Sequence, residues 1–460
     1  MPFSINTRVL YTLVSALFII TGSFIAIRYA QGYQLSLTKR KFALQTTGLL
    51  SANSFPNGAY ITVNGKRIGA TDNTFYLEPG NYTVEVAKDG YFPWQKTIKI
   101  EPELVVQTNA QLYKLVSSLT PLTYTGIRNI SPSPDGEKVL FYTASASAKN
   151  KNGLYVLELN TSLLNSLREP RQVTEEAAGF DLDHANFIWS PDNSQVILST
   201  TDKDVVLDIG KKNLLSALPD VGFRKADILG EWESELYIRE RQFLSKFPVK
   251  VQEVASSSAI NTYLSPNKKK LIYTATATTI IPKGLIPELH ATNSQPEERQ
   301  LKPGFTYVYD SEEDKNFRLD VTSYRPDYQK IATSSSTTQI SKIVLADDLS
   351  NPIAKNFTAS PSSFHRLYAT NSAQVAKNFS KYYSSLYSSG VQWFPDSKHI
   401  LFNDGDHIFL MEYDNTNKTS VYSGPFDPQF IYPWPDGSKV LTLTSFSSTS
   451  LPNLYAIDLK

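Results

Sequence analysis

The sequence predicts an all-β chain hung from one apolar helix. Three observations carry this: a proline-aspartate turn that recurs six times, alternating strands ahead of it, and one charge-free stretch near the amino terminus. The clearest turns are Ser133-Pro134-Asp135-Gly136 before Lys138-Val139-Leu140-Phe141, Ser190-Pro191-Asp192-Asn193 before Val196-Ile197-Leu198, and Pro435-Asp436-Gly437 before Lys439-Val440-Leu441-Thr442. Weaker copies are Ser265-Pro266-Asn267, Phe394-Pro395-Asp396-Ser397 and Arg325-Pro326-Asp327-Tyr328, each again followed by an apolar strand. Proline presets the first turn dihedral, aspartate bonds back to the backbone, and glycine or asparagine takes the left-handed position. Each copy is therefore expected to join two strands.

Repeated hairpins imply a repeat architecture. The prolines stand at 134, 191, 266, 326, 395 and 435, with gaps of 57, 75, 60, 69 and 40 residues. A four-stranded propeller blade takes roughly 40–50 residues, so these gaps suit blades that carry insertions. The longest gap has room for a blade without the signature, placed at Leu229 to Val249, where Glu235-Leu236-Tyr237-Ile238-Arg239 and Gln242-Phe243-Leu244 read as paired strands after Trp232. Seven blades are expected, with six as the alternative. Later strands of the blades are read at residues 153–159, 407–413 and 453–459, which alternate apolar and polar positions.

The turn signature resembles the blades of TolB-type and related WD-like propellers, with Trp189, Trp393 and Trp434 in the aromatic position before the turn. The resemblance covers residues 119–460. It implies a ring closed by pairing of its first and last strands, so that Leu119 to Thr125 completes the blade ending at Leu459 and no sheet edge is left bare.

Residues 9–27, VLYTLVSALFIITGSFIAI, hold no charge. Their length is close to the ~20 residues that a helix needs to cross ~30 Å of hydrocarbon. Arg28 and Tyr29 crowd the exit where a signal peptide would show small residues, so the segment reads as an uncleaved transmembrane anchor after a short tail, residues 1–8. A basic linker, residues 28–45, follows. Arg8 precedes the helix and Arg28, Lys39, Arg40 and Lys41 follow it, so a literal charge count places the later domains in the cytoplasm.

Residues 46–113 read as a small β domain, with strands at 48–51, 59–63, 81–86 and 97–100 and a type I′ turn at Asn64-Gly65. Phe55-Pro56-Asn57-Gly58-Ala59, Val63-Asn64-Gly65, Leu77-Glu78-Pro79-Gly80-Asn81-Tyr82-Thr83-Val84 and Lys88-Asp89-Gly90-Tyr91 together resemble the PEGA domain. That resemblance implies a sandwich-like module of surface proteins, a spacer or envelope contact with no catalytic role, lying outside the cytoplasm. The order of anchor, PEGA module and propeller resembles membrane-anchored envelope proteins of candidate bacterial lineages.

Charge is nearly balanced, 45 basic against 44 acidic residues, so no bulk basic field draws nucleic acid. Cysteine is absent, which excludes disulfides, thiolate metal sites and a cysteine nucleophile. No G-x-S-x-G elbow, H-E-x-x-H pair or G-x-x-x-x-G-K-[ST] loop occurs. His184, His290, His365, His399 and His407 are dispersed, although His399 and His407 would approach each other across a hairpin. Asp181-Leu182-Asp183-His184 and Asn403-Asp404-Gly405-Asp406 are the acidic clusters to weigh for calcium, and the second reads better as a hairpin turn.

Two insertions interrupt the propeller, near 282–304, expected as a mobile loop, and near 359–390. In the second, Val375, Phe379, Tyr382, Tyr383 and Leu386 have helical spacing, and Tyr382, Tyr383 and Tyr387 form a candidate partner surface. The expected function is a single-pass, extracytoplasmic, non-catalytic binding or scaffold protein of the cell envelope. No catalytic, cofactor or metal residue is assigned. The expected partners are the bilayer, through residues 9–27, and an envelope protein or polysaccharide. The rivals are a propeller enzyme acting on envelope carbohydrate or peptide and a cytoplasm-facing scaffold.

Overall fold

The structure is a computed structural model that describes residues 7–30, 34–38, 41–45, 47–159, 169–287, 289–290, 292–321, 390–447 and 450–460. Its elements are mostly strands, with three α-helices: α1 (Thr7–Ala30), α2 (Lys225–Leu244) and α3 (Val249–Ser257). The chain divides into two units, Met1–Leu112 with Glu288–Gln295, and Tyr113–Pro287 with Pro296–Lys460.

In the first unit, the 24 residues of α1 span about 36 Å, enough to cross a bilayer. The apolar window Leu10–Ile27 is wholly exposed. The Thr12 and Thr21 hydroxyls donate to the carbonyls of Arg8 and Leu17 at 3.3 and 2.7 Å, which satisfies them without water. The segment expected as a plain basic linker holds an antiparallel hairpin, Gln34–Thr38 with Lys41–Gln45.

The small domain carries a four-stranded sheet in the order Lys66–Ala70, Tyr60–Val63, Gly80–Ala87, Trp94–Ile100 and a three-stranded sheet in the order Val105–Gln107, Gly48–Ala52, Asn73–Leu77. Both sheets feed one buried cluster, in which Leu50, Ala52, Ile61, Val84 and Val86 are inaccessible. Asn64 and Gly65 adopt φ of 48° and 77°, the two left-handed residues of the expected type I′ turn. Trp94–Ile100 is an edge strand, and Ser294 Oγ and Gln295 Nε2 both donate to the Thr97 carbonyl at 2.7 Å. Such side-chain cover blunts an edge that would otherwise template pairing.

The second unit contains five meander sheets among the described residues. Sheet 1 is Asn129–Pro132, Lys138–Thr143, Gly153–Glu158 and Arg171–Glu175; sheet 2 is Asn186–Trp189, Gln195–Ser199 and Asp204–Asp208. Sheet 3 is Ala259–Leu264, Lys270–Ala275, Thr306–Asp310 and Lys315–Leu319; sheet 4 is Val391–Trp393, His399–Asn403, Ile408–Glu412 and Thr419–Tyr422. Sheet 5 is Ile431–Pro433, Lys439–Thr444 and Asn453–Asp458, joined by Leu119–Pro121 from the other end of the unit. There Leu119 pairs with Ile457, so the expected pairing of first and last strands occurs, over three residues only.

Between the first two strands of every sheet lies the repeated turn. In sheet 1, Gly136 N–H donates to the Ser133 carbonyl at 3.0 Å, Glu137 N–H to Asp135 Oδ1 at 3.0 Å and Lys138 N–H to Ser133 Oγ at 2.9 Å. Sheets 2 and 3 repeat the scheme with Ser190, Asp192 and Ser265, Asn267. The fourth turn residue is left-handed in each described copy: Gly136, Asn193, Lys268, Ser397 and Gly437 have φ between 58° and 79°. The Arg325 copy and the second insertion's helix lie outside the described residues.

Direct contacts link the sheets in the order 2, 1, 5, 4, 3. Trp189 of sheet 2 donates its indole N–H to Ser131 Oγ of sheet 1 at 3.1 Å, and Trp393 of sheet 4 donates in the same way to the Tyr263 carbonyl of sheet 3 at 3.3 Å. Gln392 of sheet 4 reaches the Ile431 carbonyl of sheet 5, and Tyr432 of sheet 5 reaches the Ser133 carbonyl of sheet 1. Sheets 3 and 4 share one apolar cluster, with Ile272, Val308 and Phe317 against Ile400, Phe402 and Met411.

Sheets 2 and 3 are bridged by helix. The unsigned blade expected at 229–249 is not there, because the segment is α2 and the start of α3. Leu229, Trp232 and Leu236 repeat at helical spacing and are buried against sheet 2, while Leu244, Phe247 and Val251 pack with Leu271 and Tyr273 of sheet 3. Asp227 lies in the first turn and Arg241 in the last, matching the helix dipole. Five-residue windows inside α2 imitate strand alternation; twenty residues do not.

The insertion at 282–304, expected as a mobile loop, is pinned at its base. Thr279–Ile280 pairs with Gln300–Leu301, and Ile281 and Leu301 are inaccessible. Arg299 donates to Glu297 Oε2 at 2.8 Å, to the Pro282 carbonyl at 2.6 Å and to Asp314 Oδ1 at 3.1 Å. Asp314 also accepts from Gly284 N–H and from the Tyr309 hydroxyl, each at 2.8 Å.

The turn chemistry gives a graded test. A Cβ on Gly437, at φ 64°, would stand 2.9 Å from the Phe394 ring, whereas one on Gly179, at φ 83°, meets nothing within 4 Å. Gly179→Ala should cost about 1 kcal/mol from backbone strain alone, and Gly437→Ala about 2–3 kcal/mol, as strain and overpacking add. Urea midpoints of the two full-length variants in detergent check the difference; equal midpoints would refute it.

Candidate functional site

Tyr382, Tyr383 and Tyr387 lie outside the described residues, and so does His365. The second unit's loops and buried polar groups supply the remaining candidates. A shallow cleft of about 300 Å³ opens between the loop before sheet 2 and the turn between its last two strands, lined by Gly179, Phe180, Asp181, Thr200, Thr201 and Asp202. Both walls are held by local bonds. Thr200 N–H and Oγ1 donate to the Lys203 carbonyl at 2.9 Å, and Lys203 N–H returns to Thr200 Oγ1 at 3.1 Å. Across the cleft, Asn129 Nδ2 donates to the carbonyls of Leu182 and Ala185 at 3.1 and 2.8 Å, and Arg128 pairs with Asp183 at 2.7 Å. Lys203 Nζ stands 5.4 Å from the Phe180 ring centre.

Asp181 Oδ1 accepts from the backbone N–H of Asp183 and His184, and its Oδ2 lies 2.9 Å from His184 Nδ1. The hydrogen bond to Asp181, then the charges of Asp181 and Asp183, raise His184 above the ordinary histidine range, and the same bond lowers Asp181. One aromatic face, two threonines and two carboxylates suit hydrogen bonding to a polar ligand. They do not assemble a nucleophile beside a base.

The whole device appears again at Asp396, and its backbone half at Asp404. Asp396 Oδ1 accepts from the N–H of Lys398 and His399, with Oδ2 2.6 Å from His399 Nδ1. Asp404 Oδ1 accepts from the N–H of Asp406 and His407. His399 and His407 are not brought together: His399 pairs across the hairpin with Glu412, and His407 stands at the hairpin's far end. Asn403 to Asp406 forms the expected turn, and no group of three or more metal-type side chains occurs among the described residues. The sequence carries a signal for these pairs that was not read as one, the shared spacing Asp-x-x-His at 181/184, 396/399 and 404/407.

Two buried groups were also missed. The Tyr113 ring packs edge-on against His399 at 5.5 Å between centroids, and its hydroxyl is buried without a partner. Burial, then the charges of Asp396 and Glu412, push that phenol well above its usual range. In α2, Glu233 is 3% exposed, with Oε2 unpartnered. Burial pushes its pKa up to about 8.

Comparison with known proteins assigns one part of the chain. Residues 47–115 match the PEGA domain. The match bears out the resemblance read from the motifs of the small domain. No curated protein matches the chain. Among solved structures, similarity extends to a TolB of Agrobacterium tumefaciens described as putative, at 13% identity, 72% coverage of this chain and 78% of that one, TM-score 0.20. It extends also to TolB of Acinetobacter baumannii, at 11% identity, 87% and 63% coverage, TM-score 0.19. An oligogalacturonate lyase of Vibrio parahaemolyticus is similar at 8% identity, 82% and 86% coverage, TM-score 0.22. Likenesses this distant transfer no residue and no activity.

Two pH responses follow, of opposite sign. Burial would raise Asp396, but the His399 charge and hydrogen bonds hold it down to about 2, so its contribution is present above the unfolded value near 4 and is lost as pH falls towards 2. Asp396→Asn should cost on the order of 1 kcal/mol at pH 6, allowing for partial exposure, and only a small part of that at pH 2. Glu233 is the reverse: the unfolded chain ionises it above about 4.5 while the folded chain keeps the proton to about 8. Stability should fall between these values by at most about 1.4 kcal/mol per pH unit. Glu233→Gln should remove that slope. Denaturant titrations from pH 2 to 9 measure both, and a parallel response of variant and parent would refute either assignment.

Proposed function

We propose that this chain is a membrane-anchored binding or scaffold protein of the cell envelope. The observation that supports the reading most directly is a PEGA domain immediately downstream of a fully exposed apolar helix. In this reading the PEGA module is a sandwich-like spacer, and the second unit is a propeller whose sheets form the interaction platform. Five sheets and the α2–α3 bridge are what the described residues supply to it. The protein binds without turnover, and its partner is a protein or polysaccharide of the envelope. The cleft at Phe180, Asp181 and Thr200 to Asp202 offers an aromatic face and hydrogen-bonding groups to such a partner.

One observation favours the opposite orientation. Arg28 and Lys41 follow the helix, against Arg8 before it, and the charge rule would keep that side in the cytoplasm. Protease added to intact spheroplasts separates the two. Degradation of the second unit is expected, with a protected fragment near the amino terminus. Full protection, with degradation only after lysis, would overturn the extracytoplasmic reading in favour of a cytoplasm-facing scaffold. Turnover of a peptidoglycan fragment, peptide or phosphoester that survives repurification would overturn the non-catalytic one.

A further inference from the structure

Three segments of the second unit meet beside sheet 5, and none of them carries a charge. Residues 115–127, 419–426 and 440–457 hold no acidic or basic side chain, in a chain whose charged fraction is 19%. Hydrogen bonds tie them to one another. Thr444 Oγ1 and the Tyr422 hydroxyl both donate to the Pro425 carbonyl, at 2.6 and 3.3 Å. Asn453 Oδ1 accepts from Gly126 N–H at 2.9 Å and from Thr123 Oγ1 at 3.2 Å, and Ile127 N–H donates to the Pro452 carbonyl at 2.7 Å.

The aromatic side chains of these segments form a strip. Phe446, 65% exposed, stands edge-on to Tyr455 with 5.6 Å between ring centres, and Tyr422 meets Phe426 edge-on at 6.3 Å. The two pairs adjoin: burial, then the charge of Tyr455, raises the Tyr422 phenol above its usual range. Tyr422, Phe426 and Tyr455 are half-buried, so part of each ring is packed and part faces water. Gly424 makes room for the strip, since a Cβ there would collide with the Tyr422 hydroxyl. Tyr124, 79% exposed, stands on the neighbouring loop between Thr123 and Gly126.

A surface of this make-up selects its partner by charge. An anionic polymer needs cations that these segments lack, and a charged protein patch finds no counter-charge on them. The flanking charges are engaged: Arg128 with Asp183, Lys439 with Asp458, Asp427 with Gln429 N–H and Lys418 over the Phe409 ring. What is left to attract a partner is dispersion with the ring faces and hydrogen bonding with hydroxyls. A neutral sugar presents both at once, C–H groups that an aromatic face attracts and a rim of hydroxyls. Four rings in a row exceed one sugar and suit a chain.

We propose that the strip of Phe446, Tyr455, Tyr422 and Phe426 binds an uncharged polysaccharide, with Tyr124 at its border. It rests on the non-catalytic binding reading and gives that reading one partner class, on sheets 4 and 5 rather than at the cleft of sheet 2. Full-length protein in detergent is passed over immobilised hydroxyethylcellulose, dextran and galactomannan, with carboxymethylcellulose as the anionic counterpart of the first. At least one neutral polymer should bind, and raising sodium chloride from about 0.1 to about 1 M should leave its affinity within about twofold. Phe446→Ala should weaken that binding about fivefold or more and Phe446→Tyr should retain it. Phe223→Ala, at another exposed ring, should leave it unchanged.

No binding to any neutral polymer, or tighter binding to carboxymethylcellulose that salt abolishes, would overturn the assignment. So would dimerisation in light scattering that Phe446→Ala removes, which would give the strip to a second copy of the chain. Binding lost on Phe180→Ala and kept on Phe446→Ala would move the polymer to the cleft and leave the binding reading standing. Cleavage of the bound polymer would instead sink the non-catalytic reading and leave the strip as its binding surface.

Discussion

The second unit depends on a turn that bonds to itself. In each described copy a carboxylate or amide oxygen accepts the N–H two residues on, the residue between them is left-handed, and the strand that follows is launched antiparallel to the one before. The geometry is local, so it forms whatever the neighbouring sheets do. Its placement is not local: a Cβ on Gly437 would meet the Phe394 ring of the previous sheet, and Asn267 N–H donates to Ser397 Oγ of the next. The device that starts each hairpin thus also sets the spacing between sheets. The left-handed position does not demand glycine everywhere: Asn193, Lys268 and Ser397 fill it in the other copies, and Ser397 Oγ takes up the neighbour's N–H there.

This explains what the sequence made legible. Turns and alternating strands announce themselves within ten residues, so the hairpins at Asp135, Asp192, Asn267, Asp396 and Asp436 could be read directly, as could the Asn64-Gly65 turn and the PEGA motifs. Elements defined by distant partners could not. Val105–Gln107 and Ala110–Gln111 pair in parallel with Gly48–Ala52 and Ser54–Phe55, some fifty residues upstream, and their short segments carry no periodicity of their own. The insertion base was misjudged because the tie of Arg299 to Asp314 joins residues in different loops. The Asp-x-x-His pairs sat in plain sight but have meaning only once the aspartate is known to lead a turn.

Helix α2 is where local pattern and fold disagreed. It stands between sheets 2 and 3, joined to the first by Arg239 on the Pro191 carbonyl and to the second by Phe243 beneath Lys268. Its inward stripe carries Glu233, a carboxyl that is comfortable there only while protonated, and the half-buried Glu240, which burial also raises. A strand at this position would have hidden its backbone in a ladder and left no such group inside.

The pairing of Leu119–Pro121 with Asn453–Asp458 has a consequence for synthesis. Leu454 N–H donates to Thr123 Oγ1, its partner 331 residues earlier in the chain, and this sheet has no outer strand until both are present. Loop closure over such a separation is slow, and Leu119–Pro121 stays unpaired meanwhile. A ribosome that stalls anywhere before Asn453 releases a chain with that edge still bare, open to proteases and to pairing with other chains. A chain without Asn453–Asp458 thus declares itself through the seam it fails to close.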